Sequence, residues 1–460
     1  MELDWKRICF RSRKEAVEGT VGEVVIFSST SDMPSGLQDI GASLPHNKSN
    51  TWTIYKERTY VFCKIDEGKI KSPVQVRSAA AKATNILIKE GVSNIVLEGE
   101  SEMTPWIAEG IMVASYKYDI FHSEKKTQVA LVYAGQSQEV ISAIEIAQAQ
   151  NFARFLVDTP ANKMTPTLFV GYAKEYLPEG VQVKVYDRKE LQSMNMNLLL
   201  GVSNGSAEEP KLLEISYNLG SECIALVGKG VTFDSGGISL KPSAKMAAMK
   251  GDMGGGASVV STIGALARLN AKVSVVGIVP LTENLPSGTA TKPGDVHVGS
   301  AGKSVEVDNT DAEGRLILAD ALDHALKFNP TKIVDIATLT GAITVSLGPV
   351  MAGVFSNCDE LAEELVKKSN EVEDKVWRLP VTDEYKSLIS SEVADLKNVG
   401  GPAGGSITAA LFLREFVQNK PWAHLDIAGV AFNTLTPELH GKGATGRPVK
   451  LLTKWLLEKQ

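Results

Sequence analysis

The stretch CIALVGKGVTFDSGG, residues 223–237, opens with an uninterrupted apolar run and closes in a glycine-rich loop. A short apolar run bounded by glycines is typical of a strand that is buried on both faces of a parallel sheet. Further strands are predicted at residues 273–281, 304–308 and 332–338, and stretches with helical spacing at 255–269 and 314–328 separate them. This alternation predicts an α/β arrangement in which helices cover the faces of the sheet.

The first third of the chain shows the same pattern, with helical stretches at 74–90 and around Trp106. Its strand-like runs lie at residues 21–29, 58–65, 94–99 and 127–135. A long helical segment at about 137–158 then ends before Pro160, which is a helix stop signal. The sequence therefore predicts an α/β fold with a smaller N-terminal α/β domain, residues 1–135. The long helix joins it to a larger C-terminal α/β domain, residues 136–460, with a mixed central sheet.

The overall charge and the cysteines exclude several classes of protein. The 460 residues carry a formal net charge of -6, and an acidic chain is a poor match for nucleic-acid phosphates or an anionic lipid surface. The four cysteines form no CxxC pair, so neither a disulfide framework nor a thiolate zinc site is expected. The N-terminal residues carry charges of both signs and lack the apolar core of a signal peptide, which predicts a cytoplasmic protein.

One segment has about the length of a membrane span. Residues 336–355 contain no charged residue, and a helix of about 20 apolar residues can cross a bilayer. Gly341, Gly348 and Pro349 interrupt the run, and hydroxyl residues lie within it. We therefore interpret the segment as buried strand and loop, and we expect no membrane partner.

The stretch VDNTDAEGRL, residues 307–316, allows two interpretations. Thr310 and Glu313 match a capping box and apolar residues at helical spacing follow, so the stretch could simply start a helix. Gly314 is a poor residue for a first helical turn, however. If the stretch leaves a strand of the α/β sheet in extended form, Asp311 and Glu313 point to one side. Two carboxylates placed in this way repel each other unless a cation lies between them.

A second loop, within residues 227–256, is rich in glycine, which lets the backbone approach a ligand closely. Each of its aspartates and lysines, taken alone, is typical of a turn or a solvated surface. Together the two loops supply an oxygen-rich set suited to a divalent metal, with Lys241 and Arg315 near enough in sequence to stabilise an anionic intermediate. The carboxylates of this set are Asp234, Asp252, Asp311 and Glu313.

Two further motifs indicate other enzyme classes. GVSNG, residues 201–205, matches the nucleophile elbow of serine hydrolases, but an elbow requires a helix directly after the serine, and a strand-like run follows instead. AGKS, residues 301–304, resembles the end of a P-loop, but His297 stands where the first glycine is required. The scattered histidines form no HExxH pair, so a metal site must be built mainly of carboxylates.

Three motifs together resemble the leucine aminopeptidase family of dinuclear-metal exopeptidases: NTDAEGRL at 309–316, VGKGVTFDSGG at 227–237 and GGPAGGS at 400–406. The resemblance extends from residue 151 to residue 449 and leaves the first 130 residues unmatched. It implies a metal-dependent aminopeptidase that releases N-terminal residues, with leucine and other apolar residues preferred, from peptides with a free N-terminus. It also implies a homohexamer arranged as a dimer of trimers.

The resemblance implies roles for particular residues. Two divalent ions, Mn or Zn and alternatively Mg or Co, are implied to activate water for attack on the scissile carbonyl, with Asp234 and Glu313 bridging them. Lys241 is implied to stabilise the oxyanion, and Arg315 to hold a bicarbonate that acts as general base. The implied metal ligands are Lys229, Asp234, Asp252, Asp311 and Glu313.

The residue before the scissile bond is implied to enter an apolar pocket. Ala431 is smaller than the residue of some relatives at this position, so the pocket is expected to accept more than leucine. The implied pocket residues are Met249, Thr338, Leu339, Gly341, Ala428 and Ala431. A DNA-binding role, as in some bacterial relatives, conflicts with the acidic net charge. A degenerate, inactive scaffold conflicts with the intact set of mapped positions.

Overall fold

The computed structural model describes residues 4, 6, 12–13, 21–27, 50–55, 58–64, 73–97, 101–125, 129–218, 222–432 and 435–459. The chain forms two compact units. The N-terminal unit comprises Met1–Phe155 with Thr436–Gly443, and the C-terminal unit comprises Leu156–Leu435 with Ala444–Gln460. Both units are α/β and the sheet of the larger one is mixed, so the predicted fold class is confirmed.

A six-stranded sheet forms the centre of the N-terminal unit. Its strands are β1 (Ser12–Arg13), β2 (Val21–Phe27), β3 (Asn50–Tyr55), β4 (Arg58–Lys64), β5 (Asn94–Val96) and β6 (Ala130–Val132). They follow the order β1-β6-β5-β2-β4-β3, and all neighbours are parallel except β3 and β4. Among the described residues, the helices that pack in this unit include α1 (Pro73–Lys89), α2 (Thr104–Ser115) and, late in the chain, α12 (Pro437–His440). Alanines and larger aliphatic residues of α1 and α2 form the apolar core with residues of the strands.

The predicted strands of this unit are observed with shorter bounds, and β3 lies outside the predicted runs. Residues 28–29, 65, 98–99 and 127–128 of those runs lie outside the described part of the chain. Strand β3 pairs only with β4 in the described residues and so lies at the edge of the sheet.

The long helix predicted at 137–158 is observed as α3, Gln138–Asp158. The division between the two compact units falls inside α3, after Phe155. The reason is that Val140, Ile144 and Ala147 belong to the apolar core of the N-terminal unit. The domain boundary at residue 135 stays a prediction.

A nine-stranded mixed sheet forms the centre of the C-terminal unit. Its strands are β7 (Gln182–Tyr186), β8 (Lys211–Tyr217), β9 (Cys223–Gly228), β10 (Gly230–Asp234), β11 (Ser274–Asn284), β14 (Lys332–Ala337), β15 (Ala352–Ser356), β16 (Val376–Arg378) and β18 (Trp422–Asp426). Eight of them follow the order β16-β15-β18-β14-β9-β11-β8-β7, and β10 pairs with β11 where β9 has ended. Strands β18, β14, β9 and β11 run parallel to one another, so their carboxyl ends meet at one edge.

Helices surround this sheet, as the alternation of elements predicts. They are α4 (Pro166–Tyr176), α5 (Arg188–Ser193), α6 (Asn197–Ser203), α7 (Gly254–Arg268), α8 (Glu313–Ala325), α9 (Gly341–Leu347), α10 (Asp359–Val372), α11 (Gly405–Arg414) and α13 (Val449–Leu457). The helices α7 and α8 are the two predicted at 255–269 and 314–328. Nearly all their residues are buried, because both pack against the sheet.

A separate three-stranded sheet consists of β12 (Asp295–Val298), β13 (Ser304–Val307) and β17 (Leu396–Lys397). The sequence predicts a strand at 304–308 and assigns it to the α/β sheet; the strand is confirmed and the assignment is wrong. Burial along the strand explains why it is not part of the central sheet. Val305 and Val307 are buried, whereas Ser304 and Glu306 are only partly buried. Such alternation is typical of a sheet with one solvated face.

The uncharged run at 336–355 is not one long helix. It contains the end of β14, the short helix α9 and most of β15. Among the described residues, no helix combines the length and the apolar character needed to cross a membrane.

Candidate metal centre

Three carboxylates converge at the carboxyl edge of the central strands. Asp234 is the last residue of β10, Asp252 lies two residues before α7, and Glu313 is the first residue of α8. Each offers an oxygen within 4.8 Å of the oxygens of the other two. All three side chains are buried, so their negative charges repel strongly unless positive charge lies among them.

Lys229, between β9 and β10, supplies part of that positive charge. Its Nζ lies 2.7 Å from Asp252 Oδ2 and 2.7 Å from Glu313 Oε1, and it donates a hydrogen bond to the carbonyl oxygen of Thr338 at 3.0 Å. Burial opposes the charged ammonium, but the Asp252 and Glu313 carboxylates outweigh burial and raise the pKa of Lys229. In this structure Lys229 is therefore the counter-ion of the carboxylates.

Lys241 connects the cluster to Asp311. Its Nζ lies 2.7 Å from Asp234 Oδ2 and forms an ion pair with Asp311 Oδ1. Burial raises the pKa of both aspartates, and the lysine opposes this by stabilising their charged forms. The structure thus brings together all four carboxylates and both lysines of the predicted site.

The carboxylates keep oxygens available for a ligand. Within the described chain, neither oxygen of Glu313 has a hydrogen-bond donor, and one oxygen each of Asp252 and Asp311 also lacks one, apart from the ion pairs with the lysines. A buried carboxylate oxygen without a donor is costly. A divalent cation removes that cost, since hard oxygen ligands are what such ions prefer. The residues present fit a divalent metal site.

Gly314, an unfavourable residue for a helix start, is explained by Lys229. A Cβ at position 314 would lie 2.7 Å from Cε of Lys229 and 2.9 Å from its Nζ. Any larger residue would displace the lysine from the carboxylates. Glycine destabilises the first turn of α8, but only glycine leaves enough room for Lys229 to approach Glu313 closely.

The capping box considered for residues 310–313 is not formed. The N-cap of α8 is Ala312, and no side chain caps the helix. Thr310 instead donates from Oγ1 to the carbonyl oxygen of Gly236 at 2.6 Å, and Glu313 faces Lys229. The stretch does lead into a helix, but its polar side chains serve the cluster and the glycine loop instead of the helix end.

Arg315 is buried on α8, two residues after Glu313. Its Nη1 donates to the carbonyl oxygen of Asn398 at 2.5 Å, whereas its Nε has no hydrogen-bond partner among the described residues. Burial lowers the pKa of Arg315 to about 10, with Asp426 and Glu313 opposing that shift. A buried guanidinium with an unused donor is suited to holding an anion.

The predicted pocket residues come from three segments. Met249 lies in the 3-10 helix Met246–Gly251, Thr338 and Leu339 follow β14, Gly341 begins α9, and Ala428 and Ala431 follow β18. A Cβ built on Gly254 would lie 3.7 Å from Thr338 Cγ2 and 3.9 Å from Ala431 Cβ, so those two residues are neighbours. The backbone N–H groups of Leu339 and Ala428 donate to the same oxygen of Asp426, each at 3.2 Å. Within the described chain, no hydrogen bond of this kind joins Met249 to the other predicted pocket residues.

The contacts that Asn284 and Thr338 make with the carboxylate cluster escape the sequence prediction. Asn284, at the end of β11, donates from Nδ2 to Asp234 Oδ1 at 2.8 Å and to the carbonyl of Thr310 at 3.0 Å. Thr338 donates from Oγ1 to Asp252 Oδ1 at 2.6 Å. A polar residue at the carboxyl end of an apolar strand is the signal that could have identified Asn284. The hydroxyl contact of Thr338 has no signal in the sequence.

The serine-hydrolase alternative is excluded by the place of Ser203. This serine is the last residue of α6, so a helix precedes it where an elbow needs one to follow. Its side chain is buried and donates to the carbonyl of Leu200 at 2.8 Å. AGKS is excluded as well, because Ser304 begins β13 and no helix follows it directly.

Comparisons with known proteins agree with this geometry. The profile of the cytosol aminopeptidase family, catalytic domain, matches residues 151–453. The cytosol aminopeptidase of Encephalitozoon cuniculi is 54% identical over 361 residues, which cover 77% of this chain and 74% of the relative. The cytosol aminopeptidase of Dictyostelium discoideum is 39% identical over 464 residues, which cover 96% and 86%.

Two solved structures are also similar. The bottromycin maturation enzyme BotP in complex with Mn is 32% identical, with a TM-score of 0.86, and the match covers 96% of this chain and 99% of BotP. A tomato leucine aminopeptidase variant is 30% identical, with a TM-score of 0.83, and the match covers 97% and 96%. The chain therefore belongs to the cytosol aminopeptidase family, and it is a hydrolase of the aminopeptidase class.

Proposed function

We propose that the protein is a two-metal aminopeptidase that hydrolyses the first peptide bond of peptides with a free N-terminus. The observation that carries this proposal is the buried set Asp234, Asp252 and Glu313, with oxygens within 4.8 Å of one another. Oε1 of Glu313 is paired with Lys229 Nζ at 2.7 Å, whereas its Oε2 has no hydrogen-bond partner in the described chain. A protein that needed these charges only for stability would satisfy them internally.

The residues that would hold the two ions are Lys229, Asp234, Asp252, Asp311 and Glu313, and Asp234 and Glu313 would serve both. Carboxylates are suited to Mn, and the Mn complex of BotP supports Mn. Zn, Mg and Co are alternatives. When bound, such ions polarise a carbonyl and make water more acidic, which is the chemistry that peptide hydrolysis requires.

Lys229 must lose its proton before its amine can serve as a ligand. In the described structure its proton is held by Asp252 and Glu313, which raise its pKa. Two nearby cations act in the opposite direction and favour the neutral amine. We therefore expect metal binding to release a proton.

Lys241 and Arg315 are the proposed catalytic residues. Lys241 is less buried than Asp234, Asp252 and Glu313 and keeps about a fifth of its side chain exposed, so it can reach a substrate oxygen and stabilise developing negative charge. Arg315 has a buried Nε without a partner in the described residues. We propose that it holds a bicarbonate that accepts a proton from water, because a guanidinium cannot itself act as a base.

The side chain of the first substrate residue is proposed to enter a pocket formed by Met249, Thr338, Leu339, Gly341, Ala428 and Ala431. Ala431 lies beside Thr338 and Gly254. Small residues at these positions leave room, so we propose that leucine and other apolar residues, including ones larger than leucine, are accepted.

We further propose a cytoplasmic homohexamer that acts on peptides and has neither a membrane nor a nucleic acid as partner. The similarity to cytosol aminopeptidases supports the compartment. The net charge of -6 supports the absence of nucleic acid.

A paired assay tests the proposed reaction. Leucyl amide and its N-acetylated form are each incubated with the protein before and after thorough chelation, and again after Mn or Zn has been restored. We expect hydrolysis of the free amine alone, its loss on chelation and its return with metal. Cleavage of the acetylated substrate, or activity that survives metal removal, would contradict the proposal.

A further inference from the structure

The three-stranded sheet delivers one buried asparagine to the edge of the metal centre. Strand β17 pairs in parallel with β13, and the backbone N–H of Asn398 extends this ladder by donating to the carbonyl of Glu306 at 3.0 Å. Asn398 therefore lies beside the residues that follow β13, which are the loop 308–312. Its side chain is fully buried.

The side chain of Asn398 uses its whole hydrogen-bonding capacity on the backbone of this loop. Its Oδ1 accepts from the N–H groups of Asp308 and Asn309, at 3.0 Å and 3.2 Å. Its Nδ2 donates to the carbonyls of Asn309 and Ala312, at 2.6 Å and 3.3 Å. The four hydrogen bonds are made to residues on both sides of Asp311 in the sequence, and the last of these residues, Ala312, directly precedes Glu313.

The backbone of the same residue holds Arg315. The carbonyl oxygen of Asn398 accepts from Arg315 Nη1 at 2.5 Å. One residue, about 90 positions away in the chain, thus contacts the loop that carries Asp311, the residue before Glu313, and the guanidinium that follows.

The loop needs such an anchor because no regular hydrogen-bond ladder holds it. Residues 308–312 lie between β13 and α8 and belong to neither. On the other side they are tied by Thr310, which bonds to Gly236 and to Asn284. The positions of Asp311 and Glu313 therefore depend on side-chain contacts from both sides, and Asn398 is the contact on one of them.

We propose that Asn398 is a positioning residue that holds Asp311, Glu313 and Arg315 in one arrangement and thereby sets the metal affinity and the turnover of the site. This inference rests on the proposed function. It gives the small sheet a role as well, because β17 has only two residues and its pairing with β13 is what brings Asn398 to the loop.

The test compares Asn398→Ala with the unchanged protein by calorimetric titration of the chelated protein with Mn²⁺, and by kcat and KM at saturating Mn²⁺. We expect Mn²⁺ affinity to fall by about 10- to 100-fold, as for other residues that orient metal ligands. We expect kcat to fall about 10-fold at saturating Mn²⁺, with little change in KM, because the hydrogen bonds of Asn398 go to the loop 308–312, Glu306 and Arg315 and not to pocket residues.

Asn398→Asp separates orientation from packing. Aspartate has the same shape and keeps the acceptors for Asp308 and Asn309, but it sets a carboxylate oxygen against the carbonyls of Asn309 and Ala312. We expect a loss of Mn²⁺ affinity at least as large as in Asn398→Ala. If a residue of this shape were needed only to fill space, Asn398→Asp would bind Mn²⁺ normally.

Asn357→Ala is the matched control. Asn357 is also an asparagine that clasps backbone, since it donates to the carbonyl of Lys420 at 3.0 Å and accepts from the N–H of Trp422 at 2.8 Å. It lies at the amino end of β18, away from the carboxyl edge that bears the metal centre. We expect a lower melting temperature with unchanged Mn²⁺ affinity and kcat.

If both Asn398 variants fail to fold, the exposed Asp395 provides the same test. Asp395 accepts from the N–H and the hydroxyl of Ser304, each at 2.8 Å, and so fastens β17 to β13 from the surface. Asp395→Ala should lower Mn²⁺ affinity about 3-fold, a partial loosening of the same anchor. Failure of the unchanged protein to bind Mn²⁺ would defeat the proposed function. Normal Mn²⁺ binding with unaltered affinity and kcat in the variants would defeat the role of Asn398 alone.

Discussion

Two buried clusters of charge in the C-terminal unit are built differently. In the first, which we call the structural cluster, Asp335 on β14 accepts from Trp422 Nε1 at 2.6 Å and pairs with His424 Nδ1 at 2.6 Å. Burial opposes protonation of His424, but the Asp335 carboxylate outweighs burial and raises the pKa of the imidazole. Both carboxylate oxygens of Asp335 therefore have a donor.

The metal centre is the opposite case. It brings Asp234, Asp252 and Glu313 together at the strand ends. Of the two oxygens of Glu313, Oε1 is paired with Lys229 and Oε2 has no partner in the described chain. The difference teaches how to separate structural from functional buried charge. A structural carboxylate is satisfied within the protein, whereas a ligand carboxylate is left for a partner from outside.

The largest expected effect comes from Glu313→Gln. The amide keeps the shape but loses a negative ligand, so we expect Mn²⁺ binding to be severely weakened and activity to fall by at least about 10³-fold, because several kcal/mol of transition-state stabilisation are lost. Circular dichroism should show an unchanged fold. Near-normal Mn²⁺ affinity in a titration would mean that the carboxylate oxygens of Glu313 are not metal ligands.

Lys241→Met removes the proposed oxyanion contact without removing a ligand. We expect kcat for leucyl amide to fall by about 10²- to 10³-fold, the cost of losing one oxyanion donor. Mn²⁺ affinity should hold or rise, because Asp234 and Asp311 lose a competing positive charge. A fall in Mn²⁺ affinity with an unchanged kcat would show that Lys241 organises the ligands instead of acting on the substrate.

Asp335→Asn tests the other side of the comparison. It leaves the buried His424 without its counter-ion, so the free energy of unfolding, from urea denaturation, should fall by about 3 kcal/mol. Mn²⁺ affinity and kcat of the folded protein should stay near normal, since Asp335 has no ion pair with the metal centre in the described structure. Loss of Mn²⁺ binding with normal stability would remove the distinction between the two clusters.

Thr338→Val is the smallest perturbation. Valine has nearly the same shape, but Asp252 Oδ1 loses the hydroxyl that donates to it at 2.6 Å. We expect Mn²⁺ affinity to fall about 10-fold, as when other residues that orient metal ligands are changed. Thr338→Ser, which keeps the hydroxyl, serves as the control and should bind Mn²⁺ normally.

The local elements were predictable because their patterns are local. Apolar runs predicted β9, β11 and β14, and helical spacing predicted α7 and α8, with bounds up to three residues from the observed ones. Glycine-rich loops after strands also indicated where charged residues would gather. The strand at 304–308 was assigned to the wrong sheet, because a strand's own residues do not state its neighbours.

The sequence by itself determined the α/β class, the residue types available for a divalent metal and the membership in a peptidase family. Those follow from spacing and from motifs of contiguous residues. Only the tertiary structure decided that Lys229 packs against Gly314 and that Asn398 holds the loop before Glu313. It also decided that the Thr310 hydroxyl bonds to the carbonyl of Gly236 instead of capping α8. The physical reason is that each contact joins residues far apart in the chain. The position of Asn398, for example, depends on the pairing of β13 with β17, and this pairing has no signature in either strand alone.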